Sequence, residues 1–101
     1  MSAVVASIGT EDYSVVLNVK EKFISLYVKP VFSSVMDGAY IYTIKGYSSV
    51  LSNGENYELV KSVSYQLNKK YDMPVYLNVN GYPSQFSLLK TLIELIDNVK
   101  E

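Results

Sequence analysis

Residues 74 to 81 read Pro-Val-Tyr-Leu-Asn-Val-Asn-Gly, a short strand pattern that lies between two helical patterns. Val75, Leu77 and Val79 alternate with more polar residues, which is the pattern of a strand that buries one face. The closing Asn-Gly pair is typical of a turn that ends such a strand. Because a helix precedes this strand and another follows it, the sequence favours an α+β domain.

The first helix is predicted over residues 53–71, with Asn53 as its cap. Its apolar residues recur at helical spacing on one stripe. They are Leu59, Val60, Val63, Leu67 and Tyr71.

A second helix is predicted from Ser84, behind Pro83, to the C terminus. Its apolar residues cover about half of its circumference, more than the arc of about 100° that a helix on one sheet needs. These residues are Phe86, Leu88, Leu89, Leu92, Ile93, Leu95, Ile96 and Val99. Two explanations of the surplus remain open: the neighbouring helix covers it, or it faces a second protein.

Three further strands are predicted upstream, over residues 13–19, 23–28 and 39–45. The first alternates with a period of two, so that Tyr13, Val15, Leu17 and Val19 point one way and Ser14, Val16 and Asn18 the other. A short charged turn joins it to the second strand as an antiparallel hairpin. The third is dense in β-branched and aromatic residues. The predicted order is therefore β-β-β-α-β-α, with two α-helices on an antiparallel or mixed β-sheet, in a single domain that spans residues 1–101.

Proline, glycine and serine set the remaining boundaries of the predicted elements. Pro30 ends the hairpin because proline cannot donate to a strand ladder. Asp37 and Gly38 predict a turn, and residues 46–53 predict a serine-rich loop. Residues 4–8 are apolar and form a candidate earlier strand.

The composition excludes the usual catalytic and metal-binding side chains. The chain has ten tyrosines but no histidine, cysteine, arginine or tryptophan, so it lacks the common proton shuttle and the thiolate nucleophile. Tyr65 and Lys69 copy the spacing of a short-chain dehydrogenase pair, but a glycine fingerprint for a dinucleotide is absent. We expect no enzymatic activity, no catalytic residue, no metal and no cofactor.

Charge and hydropathy indicate the compartment and the kind of partner. A net charge of −1 provides no basic field for nucleic acid. No apolar stretch approaches the 18 or so residues of a membrane helix, and no signal-peptide pattern is present. We therefore expect a cytoplasmic protein, with the nucleus as an alternative compartment, that binds neither nucleic acid nor a membrane.

The tyrosine excess is explained equally well by codon bias in an AT-rich genome and by a surface for protein contacts. Tyr27, Tyr40, Tyr42 and Tyr76 fall on the side of their strands that does not carry the aliphatic residues, or at its margin. This second side of the sheet is either solvated or a docking surface. The predicted interface residues are these four tyrosines and the outer edge of the last helix, with Leu88, Leu92 and Leu95.

Four segments resemble one protein family. Residues 59–70 form a helix with a basic end, residues 73–80 a strand of alternating residues, and residues 86–89 read Phe-Ser-Leu-Leu after a polar turn. Residues 37–46 resemble the family's aspartate-led aromatic strand, which closes on glycine. Together these patterns resemble the proteasome assembly chaperone 4 family over about 60 of the 101 residues, with the chaperone 3 family as a close second. The first hairpin matches poorly, and the last helix lacks the family's acidic cluster.

The resemblance implies a non-enzymatic chaperone that assists proteasome core-particle assembly. Such a protein acts as a heterodimer with a chaperone 3 type partner and binds proteasome alpha-type subunits while the alpha ring forms. The family offers no catalytic residue to carry over. The alternative reading is a homodimeric scaffold of the longin or roadblock type, or another protein-interaction module, because these also combine a small sheet with flanking helices.

Overall fold

The structure is a computed structural model that describes residues 2–33 and 37–100. It contains a six-stranded mixed sheet and two helices, which confirms the predicted α+β class. The elements in chain order are β1 (Ser2–Ile8), β2 (Glu11–Val19), β3 (Ile24–Pro30), β4 (Tyr40–Ile44), β5 (Tyr47–Ser52), α1 (Tyr57–Tyr71), β6 (Val75–Val79) and α2 (Gln85–Lys100).

Strand β6, which confirms the strand predicted within residues 74–81, lies in the middle of the sheet. The spatial order is β1-β2-β3-β6-β4-β5, so β6 enters between β3 and β4 after the chain has crossed over through α1. It runs parallel to β3 and antiparallel to β4. Leu77 pairs with Leu26 on one side and with Ile41 on the other. This central position explains why every second residue of β6 is completely buried.

Both helices pack on the same face of the sheet, and the core lies between the two layers. The strands present their aliphatic residues to the helices because successive side chains of a strand point to opposite faces. Val60, Val63 and Leu67 of α1 meet this face, and all three are fully buried. Burial of one such side chain stabilises the fold by about 1.5–3 kcal/mol. The predicted apolar stripe of α1 is therefore confirmed.

The N-terminal part of the chain forms a three-stranded antiparallel meander. The predicted hairpin is confirmed as β2 and β3, and Pro30 closes β3 opposite Tyr13. The candidate strand at residues 4–8 is confirmed as part of β1, which pairs with β2 along its whole length. The sheet therefore contains one strand before the predicted hairpin.

The prediction of a loop over residues 46–53 is wrong, because residues 47 to 52 form β5 at one edge of the sheet. Lys45 and Gly46 form the connecting turn with φ angles of 51° and 80°, the two positive values that a tight hairpin of the type I′ class requires. The amide of Gly46 also donates to Oδ1 of Asn68 at 2.9 Å. The serines of β5 hid the strand pattern because they carry little hydrophobic signal.

The predicted cap at Asn53 is also wrong. Helix α1 begins at Tyr57, four residues later, while its predicted end at Tyr71 is confirmed. The side chain of Asn53 accepts from the amide of Gly54 instead. Asp72 ends the helix in the left-handed conformation, which is a common helix terminus.

Asn56, which precedes α1, joins three chain segments instead of capping the helix. Its Oδ1 accepts from the amide of Ala39 at 2.9 Å, and its Nδ2 donates to the carbonyls of Val79 at 2.7 Å and Gly81 at 2.9 Å. The side chain is buried, so these bonds satisfy polar groups that water does not reach.

Gly38 allows the segment before β4 to lie close to the backbone of β6. The prediction of a turn at Asp37 and Gly38 is not confirmed. A Cβ at position 38 would lie 1.7 Å from the carbonyl oxygen of Val79, so any side chain would push the segment before β4 away from β6. The amide of Gly38 donates to Oδ1 of Asn80 at 2.8 Å. Nδ2 of Asn80 in turn donates to the carbonyl of Val28 at 3.2 Å.

The sheet and helix α1 cover part of the wide apolar surface of α2. Leu88, Leu92 and Ile96 are fully buried against the sheet. The hydroxyl of Tyr71, at the end of α1, donates to Asp97 at 2.8 Å, so the neighbouring helix covers one flank of α2. Phe86 remains largely exposed. Within the described residues, neither helix is long and apolar enough to cross a membrane.

Candidate protein-interaction surface

The face of the sheet opposite the helices carries a continuous group of aromatic side chains. We call this group the tyrosine face and define it as Phe23, Tyr27, Tyr40, Tyr42 and Tyr76. Its members come from β3, β4 and β6 and from the turn before β3. They alternate along their strands with the aliphatic residues that fill the core. Because successive side chains point to opposite faces of the sheet, the same alternation produces the core on one face and the tyrosine face on the other.

The strand order brings together tyrosines that are far apart in sequence. Tyr42 of β4 lies directly opposite Tyr76 of β6 in an antiparallel pair. Asn78 of β6 lies between Tyr27 of β3 and Tyr40 of β4. Directly opposite residues in such ladders are close enough for their side chains to pack.

The rings form a connected chain across the three strands. The ring centroids of Tyr42 and Tyr76 are 4.5 Å apart, and those of Tyr27 and Tyr40 are 5.7 Å apart. Tyr76 also lies 6.5 Å from Tyr40 and meets Phe23 edge to face at 6.0 Å. These distances are within the range in which aromatic pairs attract each other, so the rings support one another in fixed positions.

A hydrogen bond between two hydroxyls ties one side of the tyrosine face together. The oxygens of Tyr27 and Tyr40 are 3.1 Å apart. Burial, followed by this bond, raises the pKa of Tyr40 to about 12. Hydrogen bonds from Ser25 and from Tyr40 lower the pKa of Tyr27. Both directions agree with Tyr40 as the donor and Tyr27 as the acceptor.

The tyrosine face has the composition of a protein contact surface. It consists of phenyl and phenol groups, which offer apolar area together with a polar tip and lose little side-chain entropy on binding. Tyr27 is 42% exposed, and the remaining tyrosines of the face are half-buried by their neighbours alone. A partner that covers them gains apolar burial without first having to order flexible side chains.

The structure places the predicted interface residues in two different environments. Tyr27, Tyr40, Tyr42 and Tyr76 lie together on the tyrosine face, as described above. Leu88 and Leu92 are instead fully buried in the core under α2. Their predicted position at an outer helix edge is therefore wrong.

Leu95, the third predicted helix residue, is half-buried and packs against the same core. It lies in the helical layer, on the side of the sheet away from the tyrosine face. The burial of Leu88 and Leu92 follows from their spacing of four residues, which repeats at Ile96 on one line of the helix.

Sequence reasoning missed residues at both margins of this surface. Phe23 precedes β3 and contacts Tyr76. It lies on the same side of the predicted strand 23–28 as Tyr27, but the prediction of interface residues considered only the tyrosines of the strands. Tyr47 pairs with Ile44 across the β4–β5 ladder and is largely exposed. It was missed because β5 was predicted to be a loop. The signal that could have revealed it is the Lys45-Gly46 pair between two stretches with strand character.

The fold and the tyrosine face define an α+β domain in which, within residues 2–33 and 37–100, helices cover one side of the six-stranded sheet and leave the other open. No protein-family model matches the sequence, and no curated protein sequence matches it significantly. Among solved structures, the chain is similar to one from the crystal structure of a novel chaperone complex for yeast 20S proteasome assembly. The two share 14% sequence identity with a TM-score of 0.59, over 97% of this chain and 91% of that one. At this identity, the similarity shows a shared fold.

Proposed function

We propose that this protein is a non-enzymatic chaperone that assists the assembly of the proteasome core particle. The observation that carries the proposal is a similarity of fold to a chain of a proteasome assembly chaperone complex over 97% of this chain. The sequence resemblance to the chaperone 4 and chaperone 3 families points in the same direction. The two lines of support rest on different data, namely residue patterns in one case and backbone geometry in the other.

The proposed quaternary form is a heterodimer with a related chaperone of the chaperone 3 type, joined through the tyrosine face. Two sheets that pack face to face lie about 10 Å apart and interdigitate the side chains of their facing surfaces. Strands that are spaced by about 4.8 Å give the face of a six-stranded sheet a width of roughly 24 Å between its two outer strands. Such a face is of the right order for a standard interface of about 800 Å² per partner.

In this proposal the protein also binds alpha-type proteasome subunits and acts while the alpha ring forms. It does so in the cytoplasm or the nucleus. Neither nucleic acid nor a membrane is a proposed partner. A member of such a complex needs surfaces for two kinds of partner at once. The tyrosine face provides one, which leaves the helical layer and the ends of the sheet for the other.

Affinity capture from the native cells, followed by mass spectrometry, tests the proposal. We expect a related small chaperone and alpha-type proteasome subunits to be recovered together. Consistent absence of alpha-type subunits would refute the proteasome role. Light scattering on the purified chain adds a second test, because a tight homodimer at low concentration would favour the longin- or roadblock-like scaffold instead.

A matched pair of variants tests whether the tyrosine face forms the heterodimer. Replacing Tyr42 and Tyr76 with serine removes the closest ring pair of the face and should abolish recovery of the related chaperone. Replacing Tyr65 with serine removes a ring of α1 that is 44% exposed, more than either of these two, and should leave recovery unchanged. Circular dichroism and thermal unfolding establish that each variant is folded. Equal recovery with all variants would place the interface elsewhere.

A further inference from the structure

One end of the sheet carries three strongly exposed aromatic side chains outside the tyrosine face. Phe32 follows β3, Tyr82 follows β6, and Phe86 lies in the first turn of α2. Because β3 and β6 are neighbouring parallel strands, the segments that follow them leave the sheet at the same end. We call this region the aromatic end and define it by these three residues.

The exposure of these rings is unusual for their residue types. Phe32 is 92% exposed, Phe86 is 76% exposed and Tyr82 is 67% exposed. Phenylalanine is among the residues most often buried in folded proteins, and a partner can bury about 150–250 Å² on each aromatic side chain. Single exposed rings need no explanation, but several at one end of a small domain are typical of an interaction site.

Carboxylates surround the aromatic end. Glu11 and Asp12 open β2, Asp37 precedes β4, and Glu55 precedes α1, and all four are exposed. These segments lie at the same end because β2 and β4 run antiparallel to β3 and β6, respectively. Lys29 is also nearby, where its Nζ donates to the carbonyl of Ser33 at 2.6 Å, and its single positive charge offsets one of the four carboxylates. The aromatic end therefore has an excess of negative charge.

The opposite end of the molecule is basic. The β2–β3 turn, the β4–β5 turn and the last turn of α1 lie there, and they carry five lysines against two carboxylates. The lysines are Lys20, Lys22, Lys45, Lys69 and Lys70, and the carboxylates are Glu21 and Asp72. A net charge of −1 thus conceals a separation of charge along the molecule. Such a field orients a charged partner toward the end of opposite sign.

A cleft at the aromatic end combines the acidic and the aromatic features. Its volume is about 160 Å³, and Asp37, Glu55, Tyr82, Pro30 and Gly81 contribute to its lining. The hydroxyl of Tyr82 donates to Oε2 of Glu55 at 2.8 Å. This bond and the charges of Glu55 and Asp37 raise the pKa of Tyr82, as a negative potential in the cleft requires. The cleft is large enough for one long side chain.

We propose that the aromatic end docks a basic segment of a partner protein. A lysine or arginine of that segment enters the cleft between Asp37 and Glu55, and apolar residues beside it cover Phe32 and Phe86. The charge of the cleft selects the basic side chain, and the exposed rings provide the apolar contact. This interaction does not depend on the tyrosine face or on the proteasome role, because none of its residues belongs to that face.

An NMR titration of the ¹⁵N-labelled full chain tests this inference. The probe is a synthetic peptide that alternates leucine with lysine or arginine, and the control peptide has glutamate in place of every basic residue. We expect saturable shifts in the amides of residues 31–33, 37–39, 54–58, 81–82 and 84–87 with the basic peptide, and none with the acidic one. Shifts confined to the tyrosine face, or equal shifts with both peptides, would overturn the inference.

Charge-neutralising variants locate the contact. Asp37→Asn combined with Glu55→Gln should weaken binding of the basic peptide by about fivefold to thirtyfold, since each exposed ion pair changes affinity by up to about fivefold. Asp72→Asn removes a carboxylate at the opposite end and suits the left-handed conformation of that residue, so binding should not change. Phe86→Ser should weaken binding without a charge change. Equal affinity of all variants would refute the assignment.

Discussion

Replacement of Asn56 by alanine is expected to be among the most destabilising single substitutions in this protein. The side chain connects the start of α1 with the segment before β4 and with the end of β6, through bonds to Ala39, Val79 and Gly81. Each of these segments contributes residues to the centre of the sheet or to its end. The alanine variant removes all three bonds at once and leaves a small void at a buried position.

The expected cost is about 3 kcal/mol. A hydrogen bond contributes about 1 kcal/mol net, and a buried polar group that loses its partner costs about 1–3 kcal/mol. The carbonyl of Gly81 is partly exposed and can bind water instead, so the main losses fall on the amide of Ala39 and the carbonyl of Val79. Since small domains are stable by only about 5–15 kcal/mol, the variant should fold with a clearly reduced margin.

Urea unfolding followed by circular dichroism measures this cost. We expect a lower midpoint with an unchanged slope, because the surface exposed on unfolding stays the same. Asn53→Ala is the matched control, since the exposed Asn53 side chain bonds to the adjacent Gly54 amide, and its cost should stay below about 0.5 kcal/mol. A loss of less than 1 kcal/mol for Asn56→Ala, or equal losses for both variants, would contradict the reasoning.

Three further predictions concern the same sheet. Gly38→Ala should cost about 3 kcal/mol or more in urea unfolding, because its Cβ would lie 1.7 Å from a backbone oxygen of β6. The buried hydroxyls of Thr43 and Ser64 are 2.7 Å apart, so a double-mutant cycle with Thr43→Val and Ser64→Ala should give a coupling energy of about 1 kcal/mol; strict additivity would show that the bond adds nothing. Since the pKa of Tyr40 is raised to about 12, the folded state holds this proton more tightly than the unfolded state, and stability should fall as pH rises from about 10 to 12. Tyr40→Phe should lose less stability than the parent chain over that range, and equal losses would refute the assignment.

The sequence was sufficient for features that depend on local periodicity. Alternation predicted that Tyr40 and Tyr42 share one face of their strand, and that Tyr76 lies opposite the aliphatic side of its own strand. Helical spacing likewise predicted the buried stripe of α1. The contact between Tyr42 and Tyr76 could not be predicted in this way, because it depends on the insertion of β6 beside β4.

The features that were missed depend on partners distant in sequence or on weak local signals. Asn56 was indistinguishable from Asn53 as a helix cap, since its partners lie 17 to 25 residues away. The Asp37-Gly38 pair is typical of a turn, but glycine is needed at position 38 because the backbone of Val79 leaves no room for a side chain. Leu88 was assigned to an interface because the apolar arc of α2 is wide, whereas its position along the helix places it in the core.

The asparagine contacts link the tyrosine face to the aromatic end. The amide of Ala39 donates to Asn56, and the amide of Gly38 donates to Asn80. Gly38 and Ala39 lie in the chain between Asp37 of the cleft and Tyr40 of the tyrosine face. The placement of both surfaces therefore depends on the same buried bonds rather than on two independent loops. This arrangement explains why uncharged polar residues occupy buried positions in a domain with a limited core: they fix the direction of one segment that serves two surfaces.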